Sequence, residues 1–427
     1  MRCSTIAFLC GWLFPTKQIR DEFRTFCRNA DAKEESKILR KRYEKLQKSK
    51  KFKDKKVKVL FLVNEVSKWK AQSLYDELEK NEKFEPVVAL TIADIQTKLE
   101  QNEKEKILNE NFEFFNQKGM RVVLAYKAGK PLSLKLFKPD VVFYQQPYKI
   151  PKVQDFEVVS KYAFTCYIPY FVSNYGLLAM DCGYEFHKKL FRHYVLNEEL
   201  AEKYRAYMQV YAGDVKACGH TVLDSIKQKS DRNEGYIIYA PHWSIPHEKN
   251  HNRENFSTFL QNGHFILEYA KAHPEQKWAF KPHPTLKYTL IKTGVMNEQD
   301  VENYYKEWEQ LGIVCNSGDY VDLFAKSKAL VTDCASFLIE YFVTGKPVIR
   351  LVSTKSNVKA TEFSQKIFNT FYNIKNNDEL VNVFKNVLEE NNDYLKAKRL
   401  CALEEAGLLN GNAAENIRKD MENFLNI

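Results

Sequence analysis

Apolar and polar residues alternate along the chain in blocks that predict strands and helices in turn. Residues 57–65, VKVLFLVNE, form an almost continuous apolar run, and residues 67–81 place Trp69, Leu74 and Leu78 at helical spacing. Further apolar runs that predict strands lie at residues 86–90, 121–125, 139–148 and 163–170. Buried strands that alternate with helices indicate parallel βαβ units, so this part of the chain has an α/β pattern.

A polar, charged stretch interrupts the pattern at residues 226–235, IKQKSDRNEG. A second series of predicted strands follows at residues 236–240, 277–284, 313–315, 328–333 and 346–351. The sequence therefore predicts a basic helical extension at residues 1–56 and two Rossmann-like domains at residues 57–230 and 231–427. Ligands of such domains bind in the crevice outside the carboxyl ends of the strands. Residues that directly follow strands are therefore candidates for ligand binding or catalysis.

The net charge of +10 is concentrated in residues 33–58, which hold 13 Lys and Arg against 4 Asp and Glu. Before this segment, residues 6–14 contain an apolar cluster that is shorter than the roughly 20 residues needed to span a bilayer. An apolar cluster followed by a basic helix predicts an anchor on an anionic membrane surface, and we expect its removal to leave the fold intact. The alternative is a helix that packs on the main body and leaves its basic face in solvent.

The positions of the aromatic and cysteine residues indicate which binding partners and which cellular compartment to expect. A basic run also attracts nucleic acid, but the aromatic residues (14%) lie in the α/β body and do not interleave with the run, which argues against nucleic-acid binding. The nine cysteines are scattered and form no CxxC pair, as expected for free thiols in a reducing compartment. We therefore expect a cytoplasmic protein that is peripheral on the inner face of the cell membrane.

Two histidine motifs follow predicted strands of the second domain. YAPHWS, residues 239–244, contains His242 and Ser244, and KPHP, residues 281–284, contains Lys281 and His283. Lys281 and His283 can supply positive charge and hydrogen-bond donors to a phosphate, and the prolines on both sides of His283 restrict the backbone there. These residues are therefore candidates for the binding of a nucleotide-activated donor and for catalysis.

A third motif, TDCASFLIE at residues 332–340, spans a predicted change from strand to helix. Asp333 is the predicted N-cap of this helix, and Ser336 and Glu340 are four residues apart on one helical face. A helix amino terminus with free N–H groups and a serine hydroxyl is suited to bind phosphate. Glu340, one turn deeper, is positioned to accept hydrogen bonds from ribose hydroxyls.

Together, YAPHW, KPHP and D-x-x-S-x-x-x-E followed by KP resemble the CDP-glycerol glycerophosphotransferase family, the teichoic-acid-type polyol-phosphate transferases. The family's acidic–Ser–acidic spacing matches Asp333, Ser336 and Glu340, with Glu where Asp is usual, and its KPHP-type histidine matches His283. The resemblance implies a GT-B-like fold, attachment to the membrane face, and transfer of a polyol phosphate from a CDP-activated donor such as CDP-glycerol. It covers the predicted C-terminal domain well and the N-terminal domain loosely.

The N-terminal domain departs from the family in one respect. Family members carry a His-Gly motif whose histidine is thought to act as the base, whereas the comparable loop here, IPYFVSNYG at residues 168–176, has no histidine. Either another residue such as His242 takes that role, or the acceptor and the reaction differ. This variant resembles members associated with capsule or surface-glycan loci, which implies a glycan or lipid-linked acceptor.

The acceptor side is represented by weaker candidates. Asn64 and Glu65 follow the first predicted strand, where they either line the acceptor side or simply begin a helix. The family's G-x-P-R-x-D segment is reduced here to GHTVLD, residues 219–224. The remaining candidates in these regions are Asn174, His220 and Asp224.

The resemblance implies a reaction in which a polymer hydroxyl attacks the β-phosphorus of the donor and CMP leaves. No metal ion or other cofactor is expected if Lys281, His283 and the helix amino terminus neutralise the pyrophosphate. His242, His247 and His251 form an alternative metal cluster, although no acidic or Cys ligand completes it. A GT-B glycosyltransferase that uses a nucleotide sugar for capsule or lipopolysaccharide synthesis shares the fold and the phosphate site, and is the alternative function.

Overall fold

The computed structural model describes residues 17–49, 52, 55–209, 211–230, 232–249, 254–315, 320–408 and 411–427. The apolar cluster at residues 6–14 and the predicted metal-cluster residue His251 lie outside the described residues. No helix within the described ranges combines the length and apolarity needed to cross a bilayer.

The strands are numbered in chain order. They are β1 Val57–Val63, β2 Phe84–Leu90, β3 Val122–Leu124, β4 Tyr126–Lys127, β5 Lys130–Pro131, β6 Val141–Tyr144, β7 Phe164–Tyr167, β8 Arg192–Val195, β9 Asp214–Ala217, β10 Tyr236–Ala240, β11 Lys277–Phe280, β12 Gly312–Val314, β13 Ser327–Thr332, β14 Val348–Leu351 and β15 Tyr372–Ile374.

The helices are also numbered in chain order, apart from short 3₁₀ turns and a π-helical segment at Phe384–Glu389. They are α1 Lys17–Ser49, α2 Gln72–Glu79, α3 Gln101–Gln117, α4 Phe156–Val159, α5 Leu178–Asp181, α6 Glu185–Lys189, α7 Glu198–Met208, α8 Thr221–Lys227, α9 Phe259–Ala272, α10 Leu286–Thr293, α11 Glu298–Leu311, α12 Val321–Lys326, α13 Ala335–Phe342, α14 Glu362–Phe368, α15 Asn377–Val383, α16 Lys396–Glu405 and α17 Ala413–Leu425.

The described chain divides into two compact units, each built on a parallel sheet. Unit 1 contains the described residues up to Tyr170, together with Leu177–Thr221 and Ala413–Ile427. Its seven-stranded sheet has the order β3-β2-β1-β6-β7-β8-β9. Because both faces are covered, β1 is apolar from Val59 to Val63: Phe61 packs into one core and Leu62 into the other.

Helix α1 belongs to the core of unit 1 along its second half. Leu39, Tyr43 and Leu46 recur at helical spacing and are buried with residues of α17. The Tyr43 hydroxyl also lies 2.6 Å from Oγ1 of Thr165. This packing argues against the expectation that residues 1–56 can be removed without loss of the fold, because their removal would uncover part of the core.

Unit 2 contains Phe171–Gly176 and Val222–Asn412. Its six-stranded sheet has the order β12-β11-β10-β13-β14-β15, and every recorded strand pair is parallel. The two parallel sheets confirm the prediction of two Rossmann-like α/β units.

The units are not contiguous in sequence, and the boundary predicted at residue 230 falls inside unit 2. The last helix, α17, packs in unit 1, where Ile417 and Met421 are completely buried. The short segment Phe171–Gly176, between two parts of unit 1, packs in unit 2. Sequence periodicity predicted the helices and strands, but not that the chain passes between the two units at these places. Those passages depend on which apolar faces pack together after folding.

Candidate active site

The three predicted motifs follow neighbouring strands of the sheet in unit 2. The strand order reverses between β10 and β13, and β11 lies next to β10. His242 follows β10, His283 follows β11 and Asp333 follows β13. Parallel strands end at the same edge of a sheet, and a reversal of strand order opens a crevice there. The fold thus brings the three motifs together at one switch point.

His242 is held from one side by Ser244. The Ser244 hydroxyl lies 2.7 Å from Nδ1 of His242, and the backbone N–H of Ser244 donates to the same nitrogen at 3.2 Å. The Ser244 side chain is fully buried and its oxygen also accepts from the backbone N–H of Phe256 at 3.0 Å. Ser244 therefore positions the imidazole of His242.

His283 has a similar arrangement. Its Nδ1 lies 2.9 Å from the Thr285 hydroxyl and accepts from the Thr285 backbone N–H at 3.2 Å. The His242 and His283 rings lie 5.3 Å apart between centroids. In both rings Nδ1 accepts a backbone N–H, so the neutral imidazole carries its proton on Nε2. Both rings can therefore donate a hydrogen bond from Nε2.

Burial keeps both imidazoles neutral. Desolvation lowers the pKa of His242 well below its usual value, with a further contribution from His283. Desolvation, followed by the charge of Lys281, lowers the pKa of His283 to about 4. The sequence-based expectation that His283 contributes hydrogen-bond donors fits this state, but the expectation that it supplies positive charge does not fit the unliganded site.

Lys281 carries the positive charge of the site. It is 5% exposed, and no carboxylate within the described ranges pairs with its ammonium group. Burial lowers its pKa, and the side chains of Cys315 and Cys334 lie close enough to oppose this shift weakly. Because Cys334 is the N-cap residue of α13, the ammonium lies near the start of that helix. A buried cation without a counter-ion is suited to an anionic ligand.

The prediction that Asp333 caps α13 is wrong. The N-cap residue is Cys334, and no side chain caps the helix. Asp333 accepts instead from the backbone N–H of His242 at 2.5 Å, and from the backbone N–H and hydroxyl of Thr258 at 2.6 and 2.9 Å. The physical reason is the sheet order, which places the end of β13 beside the end of β10.

The first turn of α13 is left uncapped and contains Ser336, which is half-buried. Glu340, one turn deeper, is 1% exposed and accepts a hydrogen bond from the Tyr320 hydroxyl. The free N–H groups at the start of α13 add to the positive potential near Lys281. The binding of ribose by Glu340 stays a prediction.

Asn174, expected on the acceptor side, lies in unit 2 beside α13. Its side-chain amide nitrogen donates to the backbone carbonyl oxygen of Ala335, and its backbone carbonyl oxygen accepts from the backbone N–H of Thr361 at 3.0 Å. The neighbouring Tyr175 packs on Phe256, with ring centroids 4.7 Å apart. The segment Phe171–Gly176 is therefore part of the same site as His242.

The other acceptor-side candidates are divided between the units. Asn64, Glu65 and His220 lie in unit 1, whereas Asp224 lies in unit 2. His220 is buried, and its Nε2 lies 2.8 Å from the carbonyl oxygen of Pro169, as in a structural contact. Asn64 and Glu65 follow β1 at the carboxyl edge of the sheet in unit 1.

Residues 216–423 match the family model of CDP-glycerol:poly(glycerophosphate) glycerophosphotransferases. The match spans most of the second half of the chain, which is therefore similar to this family. The match includes every donor-side residue predicted from the sequence, and it makes the protein an enzyme of the glycerophosphotransferase class. No curated protein sequence matches the chain.

Solved structures confirm the GT-B-like fold that the family resemblance implied. The wall teichoic acid polymerase TagF is similar over 97% of this chain and 99% of that chain, at 11% identity and a TM-score of 0.52. A Listeria monocytogenes protein assigned as a UDP-N-acetylglucosamine 2-epimerase is similar over 86% of this chain and 96% of that chain, at 15% identity and a TM-score of 0.53.

Sequence reasoning missed two residues that build this candidate site. Thr258 binds Asp333, and Arg350 packs over Phe368 at 4.4 Å and donates to the Tyr175 hydroxyl at 3.4 Å. Arg350 lies near the end of β14. A basic residue near the end of a predicted strand could have been proposed as a site residue from the sequence. Thr258 gave no such signal, since its partner is distant in sequence.

Proposed function

We propose that the protein transfers glycerol phosphate, or a similar polyol phosphate, from a CDP-activated donor to a hydroxyl of a cell-surface glycan or capsule polymer. The observation that carries the proposal is the buried ammonium of Lys281, which has no carboxylate partner among the described residues and acts on His283, whose ring lies 5.3 Å from that of His242. Together with the uncapped start of α13, these groups form a site for a pyrophosphate.

In the proposed reaction the acceptor oxygen forms a bond to the β-phosphorus of the donor. The bond between this phosphorus and the bridging oxygen breaks, and CMP leaves with the electron pair. Negative charge grows on the leaving phosphate, where Lys281 neutralises it and the two imidazoles donate hydrogen bonds from Nε2. No step of this proposal requires a metal ion or another cofactor.

His242 acts in this proposal as a hydrogen-bond donor and not as the base. To accept a proton at Nε2 the ring would have to carry its own proton on Nδ1. The backbone N–H of Ser244 points at Nδ1 from 3.2 Å, which disfavours that tautomer. The proton of the acceptor hydroxyl is therefore taken up by another group.

We also propose that the enzyme works at an anionic membrane surface. The buried face of α1 carries Leu39 and Tyr43, whereas its opposite face exposes basic side chains. The exposed basic residues of the second half of α1 are Lys33, Lys37, Arg40, Lys41, Lys45 and Lys48. Such a face attracts anionic headgroups, and binding them breaks no contact in the core. The helix therefore supports a peripheral enzyme at the inner face of the membrane.

The test is a donor screen with the full-length protein. CDP-glycerol and CDP-ribitol are compared with UDP-sugars and CMP-sugars, first by calorimetric binding and then by nucleotide release with glycan acceptors. We expect binding of a CDP-polyol and acceptor-dependent release of CMP. Binding and turnover of nucleotide sugars alone would replace the proposal with a GT-B glycosyltransferase.

A further inference from the structure

Three short 3₁₀ turns of unit 1 each expose an aliphatic side chain, and we call them the tip turns. The tip turns are Asp94–Lys98, Leu134–Phe137 and Lys152–Gln154. Their aliphatic side chains are largely in solvent, with exposed fractions of 62% for Ile95, 67% for Leu136 and 41% for Val153. A single exposed aliphatic side chain is common on a protein surface, whereas several on one connected surface mark an interaction site.

The tip turns are connected by Gln154, whose side chain is fully buried. Its Oε1 accepts from the hydroxyl of Thr91, three residues before the first tip turn, at 2.8 Å. Its Nε2 donates at 3.0 Å to the carbonyl oxygen of Leu132, two residues before the second tip turn. The backbone N–H of Asp94 also donates to the carbonyl oxygen of Lys149 at 3.0 Å. One buried amide therefore holds the three turns together as a single surface.

The chain around the second and third tip turns is basic. Residues 121–161 hold eight Lys and Arg against three Asp and Glu, and two of these acids, Asp140 and Glu157, pair with lysines from outside the segment. The tip turns themselves contain one acid, Asp94, and three exposed lysines, which are Lys98, Lys135 and Lys152. No carboxylate in the described part of the chain pairs with these lysines. Such a surface attracts an anionic partner.

The combination of aliphatic side chains and lysines favours a lipid surface over other anionic partners. Lysine is depleted at the centres of protein–protein interfaces, which are instead rich in aromatic residues and arginine. A soluble polyanion would engage the lysines and leave the aliphatic side chains in water. At an anionic bilayer the aliphatic side chains enter the boundary of the acyl chains, while the lysines reach the headgroups.

The tip turns also adjoin the helix that carries the other basic face of unit 1. Arg42 of α1 donates to the backbone carbonyl oxygen of Glu157 at 3.5 Å and to the Ser160 hydroxyl at 3.4 Å. Glu157 lies on α4, which begins two residues after the third tip turn. The basic face of α1 and the tip turns are therefore neighbours on the surface of unit 1.

We propose that the tip turns insert Ile95, Leu136 and Val153 into the headgroup and acyl-chain boundary of an anionic bilayer, as a second membrane contact beside α1. The inference rests on the proposed membrane location and adds an apolar contact to it. Unlike the attraction of the basic face of α1, the contribution of this contact does not depend on charge.

The experiment is pelleting of the full-length protein with vesicles of phosphatidylcholine and phosphatidylglycerol. The tip variant combines Ile95→Ser, Leu136→Ser and Val153→Ser. The matched control variant replaces the same three residue types in unit 2, at exposed fractions of 45%, 49% and 44%, by Ile313→Ser, Leu260→Ser and Val381→Ser. An α1 variant replaces Lys41, Lys45 and Lys48 with Gln. A melting curve and calorimetric binding of CDP-glycerol are measured for every variant.

We expect the tip variant to bind the vesicles at least about tenfold more weakly than the wild type. The control variant should bind as the wild type does, and both should keep the wild-type melting temperature and CDP-glycerol binding. Leu136→Ser alone, at the most exposed of the three positions, should give a smaller loss in the same direction.

Equal vesicle binding by the tip variant and the wild type, or an equal loss in the control variant, would overturn the tip contact. A loss confined to the α1 variant would leave the proposed membrane location in place without that contact. No pelleting of the wild type would overturn both. Binding of CDP-glycerol is judged separately, so a failure of the donor proposal is distinguishable from each of these results.

Discussion

The backbone N–H of His242 donates to Oδ1 of Asp333 at 2.5 Å, so the residue after β13 fixes the loop after β10. The second carboxylate oxygen binds the backbone N–H and the hydroxyl of Thr258. Hydrogen bonds to a charged acceptor are the stronger ones, and this carboxylate holds three. The imidazole therefore depends on a residue that need not touch the donor.

Asp333→Asn should lower both stability and turnover, since the amide offers one acceptor oxygen where the carboxylate offers two. We expect a loss of about 2 kcal/mol in the free energy of unfolding. Burial raises the pKa of Asp333 to about 6, so wild-type turnover should fall below that pH as the carboxylate is protonated. The pH–rate profile of Asp333→Asn should lack this fall in turnover at acid pH. If the variant shows the same fall, another group is responsible for it. Asp322→Asn, at an exposed site, is the control.

His283→Ala should leave the fold intact and lower turnover by about 10²–10³, the usual cost of one hydrogen-bond donor to a developing oxyanion. His242→Ala should weaken donor binding and turnover and keep the shape of the pH–rate profile, because the wild-type ring is already a neutral donor. Steady-state kinetics and a melting curve of each variant check this. Loss of the acidic limb in His242→Ala would show a base, and full activity of both variants would remove this site from the reaction.

Lys281→Met should raise the stability of the unliganded protein and abolish detectable binding of CDP-glycerol. The buried ammonium is uncompensated without a ligand, so replacing it with an apolar side chain removes a desolvation cost. Melting curves with and without CDP-glycerol measure both effects. Lys287→Met, at an exposed lysine paired with Glu302, should change neither. A Lys281→Met variant that melts earlier and still binds the donor would contradict the assignment.

Replacing Lys41, Lys45 and Lys48 with Gln should weaken binding to anionic vesicles without changing the melting temperature. These side chains lie on the exposed face of α1, and a lysine near an anionic surface contributes about 1 kcal/mol, so three correspond to roughly a hundredfold loss in affinity. Vesicle pelleting measures the change. Deleting residues 1–56 should instead destabilise unit 1, because Tyr43 leaves the core. Equal pelleting of the triple variant would end the membrane proposal.

The buried pair His187 and His193 should make unit 1 sensitive to acid. Burial lowers the pKa of His187 to about 3, and burial followed by His187 lowers that of His193. Below pH 6.5 these histidines are protonated in the unfolded chain but stay neutral in the folded chain. The free energy of unfolding therefore falls as the pH is lowered, until the pH reaches the pKa of the folded state. The shifted pKa of His187 alone should lower the free energy of unfolding by about 2 kcal/mol at pH 5, relative to neutral pH. Urea midpoints at pH 5 and 7.5 should differ less in His187→Phe than in the wild type.

The hydrophobic pattern predicted the sheets because buried parallel strands are apolar on both faces, as Phe61 and Leu62 show. It predicted the positions of the candidate donor motifs, because these motifs directly follow strands. It could not predict the partner of Asp333. A carboxylate before a helix has the same local sequence whether it caps that helix or binds the neighbouring loop, and only the strand order decides between the two.

The docking of α1 was hidden for a different reason. A helix dominated by lysine and arginine has the composition of a solvated or membrane-facing segment, and only Leu39, Tyr43 and Leu46 mark its buried stripe. The tip turns were equally hidden, because the sequence does not show which aliphatic side chains stay exposed after folding.

The position of Phe171–Gly176 in unit 2 has a consequence for engineering. A chimera that exchanges the second half of this protein for that of a relative would keep Asn174 and Tyr175 from the original parent. The new α13 would then meet a foreign segment at its first residue, where Asn174 now binds Ala335. Donor specificity should therefore be transplanted as two pieces of sequence, and single-crossover libraries should be poor in active clones.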